Sequence, residues 1–132
     1  ARRLGYAGLP DYTGRANEET LAFAMVETPT ALAALDDICD VEGLDGIYVG
    51  PSDLSFTLSD GESVDPTGQR AMEVSAEIAA RVVAKGKIAA IYCMTPEHAK
   101  AAIGMGYRYI TLGSDQAFIA SGASELLASL KD

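Results

Sequence analysis

The chain has 132 residues, 48% of them hydrophobic, with no tryptophan and a formal net charge of −9. That length supports one domain with an apolar core, and the acidic balance excludes the basic patch by which nucleic-acid-binding domains hold phosphates. No apolar run approaches the ~20 residues of a membrane span, and Ala1-Arg2-Arg3-Leu4-Gly5-Tyr6 has no signal-peptide pattern, so a cytoplasmic protein with neither nucleic-acid nor membrane partners is expected.

In chain order, Leu9-Pro10-Asp11 reads as a turn and Asn17-Glu18-Glu19 as a short helical stretch. Leu21-Ala22-Phe23-Ala24-Met25-Val26 is continuously apolar and stops at Glu27, as a buried strand of a parallel sheet does. Thr28-Pro29 supplies a helix N-cap and a first helical residue. Leu32, Leu35 and Ile38 then recur at helical spacing, with Asp36, Asp37 and Asp40 turned away. Asp45-Gly46 precedes a second strand, Ile47-Tyr48-Val49, which stops at Gly50-Pro51-Ser52-Asp53-Leu54-Ser55 and a loop through Asp60-Gly61.

Asp65-Pro66 repeats the cap-plus-proline signature and predicts a long helix to Lys85, with Val74, Ile78 and Val82 on one face and Gly86 as its stop. Lys85 and Lys87 flank that stop and complement the helix dipole. Ile88-Ala89-Ala90-Ile91-Tyr92 is the third strand, and Thr95-Pro96 starts a helix that ends at Gly104 or Gly106. Tyr109-Ile110-Thr111-Leu112 is the fourth strand. Gly113-Ser114-Asp115 opens the last helix, with an apolar stripe of Ile119, Leu126, Leu127 and Leu130. His98 reads as a surface helix residue. Cys39 and Cys93 lack metal-ligand spacing and read as buried free thiols.

Four strand–helix alternations define an α/β fold of parallel βα units in a single domain over residues 1–132. Two architectures fit: a doubly wound open sheet, or half of a (β/α)8 barrel, whose complete form needs about 250 residues. No dinucleotide fingerprint follows a strand, since Gly104-Met105-Gly106 precedes one, and there is no P-loop.

Ligands of parallel βα folds lie at the C-terminal ends of the strands. That rule selects Glu27, then Gly50-Pro51-Ser52-Asp53, Cys93-Met94-Thr95 and Gly113-Ser114-Asp115. A carboxylate closing an apolar strand costs too much to bury unpaired, so Glu27 is either an ion-pair partner, a helix cap or a ligand for a hard cation. Asp53 is either the cap of a short helix starting at Leu54 or a second carboxylate over the same mouth. Adjacent strands lie about 4.8 Å apart, and two carboxylates completed by water and a chelating substrate suit Mg²⁺ or Mn²⁺. Backbone amides at Ser52 and Asp53 can receive a carboxylate or enolate oxygen, and Gly50 permits close approach. Gly113-Ser114 fits helix capping better than anion binding. Ser52 and Ser55 have no neighbouring histidine and no G-x-S-x-G, which excludes a serine hydrolase.

Met25-Val26-Glu27-Thr28, Leu35-Asp36-Asp37-Ile38, Val41-Glu42-Gly43-Leu44-Asp45-Gly46 and Gly50-Pro51-Ser52-Asp53-Leu54-Ser55 closely resemble the HpcH/HpaI aldolase family, from the Asp11-Tyr12 and Ala16-Asn17-Glu18 lead-in through Leu112-Gly113-Ser114-Asp115. The resemblance implies the C-terminal half, strands five to eight, of a (β/α)8 barrel, within a chain of about twice this length. It implies reversible cleavage of a 4-hydroxy-2-oxo acid to pyruvate and an aldehyde, assisted by Mg²⁺, Mn²⁺ or Co²⁺ held by Glu27 and Asp53. The pyruvate carboxylate would sit on the amides of Ser52 and Asp53, with Gly50, Pro51 and Met25 lining the substrate. Met25 stands where several relatives carry a glutamine, and it cannot donate a hydrogen bond. The family's catalytic arginine and base-assisting histidine belong to the first half-barrel. No catalytic residue is therefore assigned in this chain, which alone is expected to be inactive. Family members are often homo-oligomers, hexamers or trimers, whose C-terminal helix packs on a neighbour. The other readings are a citrate-lyase-β-like acyl-CoA lyase, for which no basic CoA patch is seen, and a non-catalytic half-barrel that binds metal or 2-oxo acid or only assembles with partners.

Overall fold

A computed structural model describes residues 12–130; the turn expected at Leu9-Pro10-Asp11 lies outside them. Helix α1 (Tyr12–Glu19) leads into β1 (Phe23–Val26), followed by two short helices, α2 (Pro29–Ala33) and α3 (Leu35–Cys39). Strand β2 (Gly46–Val49) runs into α4 (Pro51–Leu58) and then α5 (Gln69–Ala84). Strand β3 (Ile88–Cys93), α6 (Pro96–Met105), β4 (Tyr109–Leu112) and α7 (Asp115–Ala128) complete the order.

The four strands are parallel and lie in the order β1-β2-β3-β4. A doubly wound sheet reverses its strand order at a switch point; none occurs among the described residues, whose consecutive order is one that βα barrels also use. Alternate residues confirm one covered face. Val26, Ile47, Val49, Ala89, Ile91 and Cys93 are buried in a single core with Leu35, Cys39, Leu54, Val74, Ile78, Val82 and Ala102 from the helices. The other face carries Phe23, Met25, Tyr48, Tyr92 and Tyr109. It is strongly concave: three strand spacings would put β1 and β4 about 14 Å apart in a flat sheet, yet the rings of Phe23 and Tyr109 lie 5.2 Å apart. Gly46 makes room for this, since a Cβ there would lie 2.6 Å from Cε1 of Phe23.

Local chemistry explains the helix starts. Thr28 Oγ1 accepts from Ala31 N, Thr95 Oγ1 from His98 N and Ser114 Oγ from Ala117 N, each at 3.2 Å. The serine at the last start therefore caps a helix, as its sequence suits. Asp65-Pro66 departs from expectation: α5 begins at Gln69 with Gly68 as N-cap. Asp65 instead closes a turn, its carbonyl accepting from Gly68 N at 3.1 Å, while its own N–H donates to Ser55 Oγ at 3.0 Å. After Gly50 the chain forms α4, which Pro51 starts at the first helical position, earlier than the short helix considered from Leu54.

One further expectation is corrected. His98 is buried, 4% exposed, because α6 turns it inward together with Ala99 and Ala102. The stripe on α7 does not pack on this domain: no residue of the helix is buried, and Ile119 and Leu126 are each 72% exposed. Both cysteines are buried and free, and burial raises the pKa of each thiol. The two lysines at the α5 stop tie down neighbouring segments, Lys85 Nζ meeting Asp40 at 2.7 Å and Lys87 Nζ donating to Leu44 O at 2.6 Å. No helix among the described residues is long and apolar enough to cross a membrane.

Candidate active site

Strand register decides what meets at the C-terminal mouth. Val26 pairs with Val49, and Val49 with Ile91. Glu27, Gly50 and Tyr92 therefore follow side by side on three neighbouring strands. The glutamate carboxylate lies across Gly50, where a Cβ would collide with its Oε2. Gly50 has φ −92°, which any residue can adopt; what requires glycine is the space that Glu27 uses.

Helix α4 supplies the second carboxylate. Its cap, Gly50, provides no side-chain acceptor, and Pro51 has no N–H to offer. The first backbone donation into the helix is Leu54 N to Gly50 O at 2.9 Å. No described residue accepts from the amides of Ser52 or Asp53, which leaves two N–H groups at a helix N-terminus facing the mouth. Pro51, Leu54 and Ser55 are buried and hold the helix in place. The Ser55 hydroxyl donates to Ser52 O at 2.8 Å and accepts from Asp65 N, fastening the following loop beneath the helix.

One cavity of about 260 Å³ is lined by Met25, Glu27, Tyr48, Gly50, Pro51, Ser52, Asp53 and Tyr92. It thus gathers six of the sequence-derived candidates: Glu27, Asp53, Gly50, Pro51, Ser52 and Met25. Cys93 faces the core and Ser114 is a cap, so neither belongs to it. Tyr48 and Tyr92 are additions that the strand-end rule missed; only the register reveals that they share the concave face with Met25.

Among the described residues no lysine, arginine or histidine forms an ion pair with Glu27 or Asp53, which removes the ion-pair reading of Glu27 within that span. Asp53 does not cap α4 either, since the helix starts two residues before it. Two carboxylates that border one cavity and have no cationic partner among the described residues suit a hard cation. No group of three or more potential ligands occurs among the described residues, so a cation there would draw its remaining ligands from water and substrate, as Mg²⁺ commonly does.

The HpcH/HpaI aldolase/citrate lyase family profile matches residues 6–121, and the chain belongs to this family. Among curated relatives, it is 35% identical over 132 residues to a hydroxypyruvate/pyruvate aldolase of Deinococcus radiodurans, covering 100% of this chain and 47% of that protein. It is 32% identical to a 2-keto-3-deoxy-L-rhamnonate aldolase of Escherichia coli O1:K1, covering 99% of this chain and 48% of that protein. The fold matches a crystal structure of a family member from Burkholderia cenocepacia J2315 with a TM-score of 0.81 at 23% identity, over 100% of this chain and 51% of the other. The chain spans about half the length of the curated relatives it matches.

Proposed function

We propose that this chain is the metal-binding half of a divalent-metal-dependent aldolase, a carbon–carbon lyase that reversibly cleaves a 4-hydroxy-2-oxo acid to pyruvate and an aldehyde. In the same reading it forms strands five to eight of a (β/α)8 barrel. The observation that carries this is the placement of Glu27 and Asp53, without cationic partners among the described residues, around one cavity with two free amides. The aldolase names of the relatives agree with it, and their doubled length accommodates a first half-barrel.

Glu27 and Asp53 would hold Mg²⁺, Mn²⁺ or Co²⁺. The ion supplies Lewis-acid stabilisation of the charge that develops on the 2-oxo oxygen. The chain's own residues do the rest of the binding. The amides of Ser52 and Asp53 orient the substrate carboxylate through charge-assisted hydrogen bonds. Gly50 keeps the space over β2 open for the Glu27 carboxylate. Met25, 56% exposed, presents a thioether wall that donates no hydrogen bond. The arginine and histidine that complete such a site belong, on the family resemblance, to the other half of the barrel. The bare leucines of α7 support a homo-oligomer in which this helix packs on a neighbouring subunit; the trimer or hexamer comes from the family resemblance.

The test is pyruvate release from a 4-hydroxy-2-oxo acid by the full-length protein. Activity that needs a divalent metal, disappears with EDTA and is lost in Glu27→Ala is expected. Metal-independent cleavage, or full activity in that variant, would overturn the assignment.

A further inference from the structure

Helix α4 holds on to both carboxylate-bearing segments, through residues one turn apart. Asp53 lies in its first turn and Thr57 four residues later, on the same side of the helix. The Thr57 hydroxyl reaches out of α4 and donates to the backbone carbonyl of Glu27 at 2.9 Å. The alternative acceptor within its own helix, Leu54 O, lies farther away at 3.1 Å. The bond to Glu27 spans 30 residues of sequence and is partly buried. It joins the end of β1 to the body of the helix whose start carries Asp53.

We infer that Thr57 is a positioning residue for the metal site, fixing the backbone of Glu27 relative to Asp53; this rests on the metal-binding reading given above. The reasoning is geometric. Glu27 lies between the strand register that holds Phe23–Val26 and Thr28, the cap of α2. Neither engages the Glu27 carbonyl itself; the Thr57 bond does so. Because α4 is rigid over one turn, it converts the position of Asp53 into a position for Glu27. Groups that orient metal ligands without touching the metal commonly change affinity 10- to 100-fold when removed.

The test is Mn²⁺ affinity, measured by calorimetry and by the free-ion electron paramagnetic resonance signal, in full-length wild type, Thr57→Val, Thr57→Ser and Glu27→Ala. Thr57→Val keeps the branched shape and loses the hydroxyl; about tenfold weaker Mn²⁺ binding is expected. Thr57→Ser restores the donor and is expected to bind within about twofold of wild type, since the hydroxyl and not the methyl is the group at issue. A merely structural role would lower the melting temperature of Thr57→Val and leave the Mn²⁺ affinity of the folded protein unchanged, and that result overturns the inference. Failure of Thr57→Ser to recover affinity overturns it as well. Wild-type binding that persists in Glu27→Ala removes the metal site itself, and Thr57 with it. Wild-type binding that is lost in Glu27→Ala but unaffected in Thr57→Val removes only the role of Thr57.

Discussion

At Gly50 the proposed site depends on an absent side chain. The backbone there would accept alanine, but the added methyl would occupy the volume of the Glu27 carboxylate. Gly50→Ala is therefore expected to weaken divalent-metal binding at least tenfold, the scale on which displaced ligand geometry acts, while melting stays close to wild type; calorimetry with Mn²⁺ and a thermal melt on one sample check both. His98 gives a second residue-level expectation. Burial lowers its pKa from the ordinary value of 6.5, and its Nδ1 meets no hydrogen-bonding partner among the described residues. The unfolded chain then takes up the proton at higher pH than the folded one. The stability this neutral imidazole carries is complete above about pH 6.5 and falls as pH drops through the folded-state value. Urea unfolding at pH 5 and pH 8 should show that loss in wild type and a smaller one in His98→Leu. The placing of Glu27 and Asp53 at one cavity was legible in the sequence because a carboxylate after an apolar strand, and another after Gly-Pro-Ser, break the pattern around them. His98 was not, because Pro96, Glu97 and Lys100 make its surroundings look solvated. Only packing against the sheet shows which way the helix turns. Thr57, Tyr48 and Tyr92 depend on strand register and on an approach across 30 residues, which no local pattern contains.

Among the elements, α5 is the main support of the covered face. Ile78 is fully buried in its centre, so Ile78→Ala should destabilise the protein by about 2–5 kcal/mol, measured by chemical denaturation. Tyr107, after α6, sends its hydroxyl to Ser75 O on α5 at 2.8 Å inside the core, and burial drives its pKa well above the ordinary value. Helix α7 differs from the others. Its capping serine and periodic leucines were correctly legible as a helix, yet periodicity could not say what the stripe faces. In the full-length protein Leu126→Glu should reduce the assembled mass by light scattering with an unchanged circular dichroism spectrum. An unchanged mass would mean that this stripe is not a subunit contact. The start of α5 was misplaced for a related reason: Asp65-Pro66 has the composition of a helix start, but Asp65 is already committed to a turn with Gly68 and to Ser55.

The described residues form a parallel sheet of order β1-β2-β3-β4 with α3 to α6 over one face and a concave, tyrosine-bearing face on the other. Alternation of strands and helices was readable from apolar runs and caps. It could not separate a barrel half from a doubly wound sheet, because both are built of the same βα unit. Strand order bears on that distinction, and it follows from contacts far apart in sequence. In the proposed complete barrel the concave face would close around the mouth where Glu27 and Asp53 sit. The most direct test is exchange of the pyruvate methyl protons with D2O, followed by NMR, in the full-length protein. The expected result is exchange that depends on Mg²⁺, Mn²⁺ or Co²⁺, stops with EDTA and is absent in Glu27→Ala; no exchange with any of these metals, or exchange indifferent to EDTA, would contradict it.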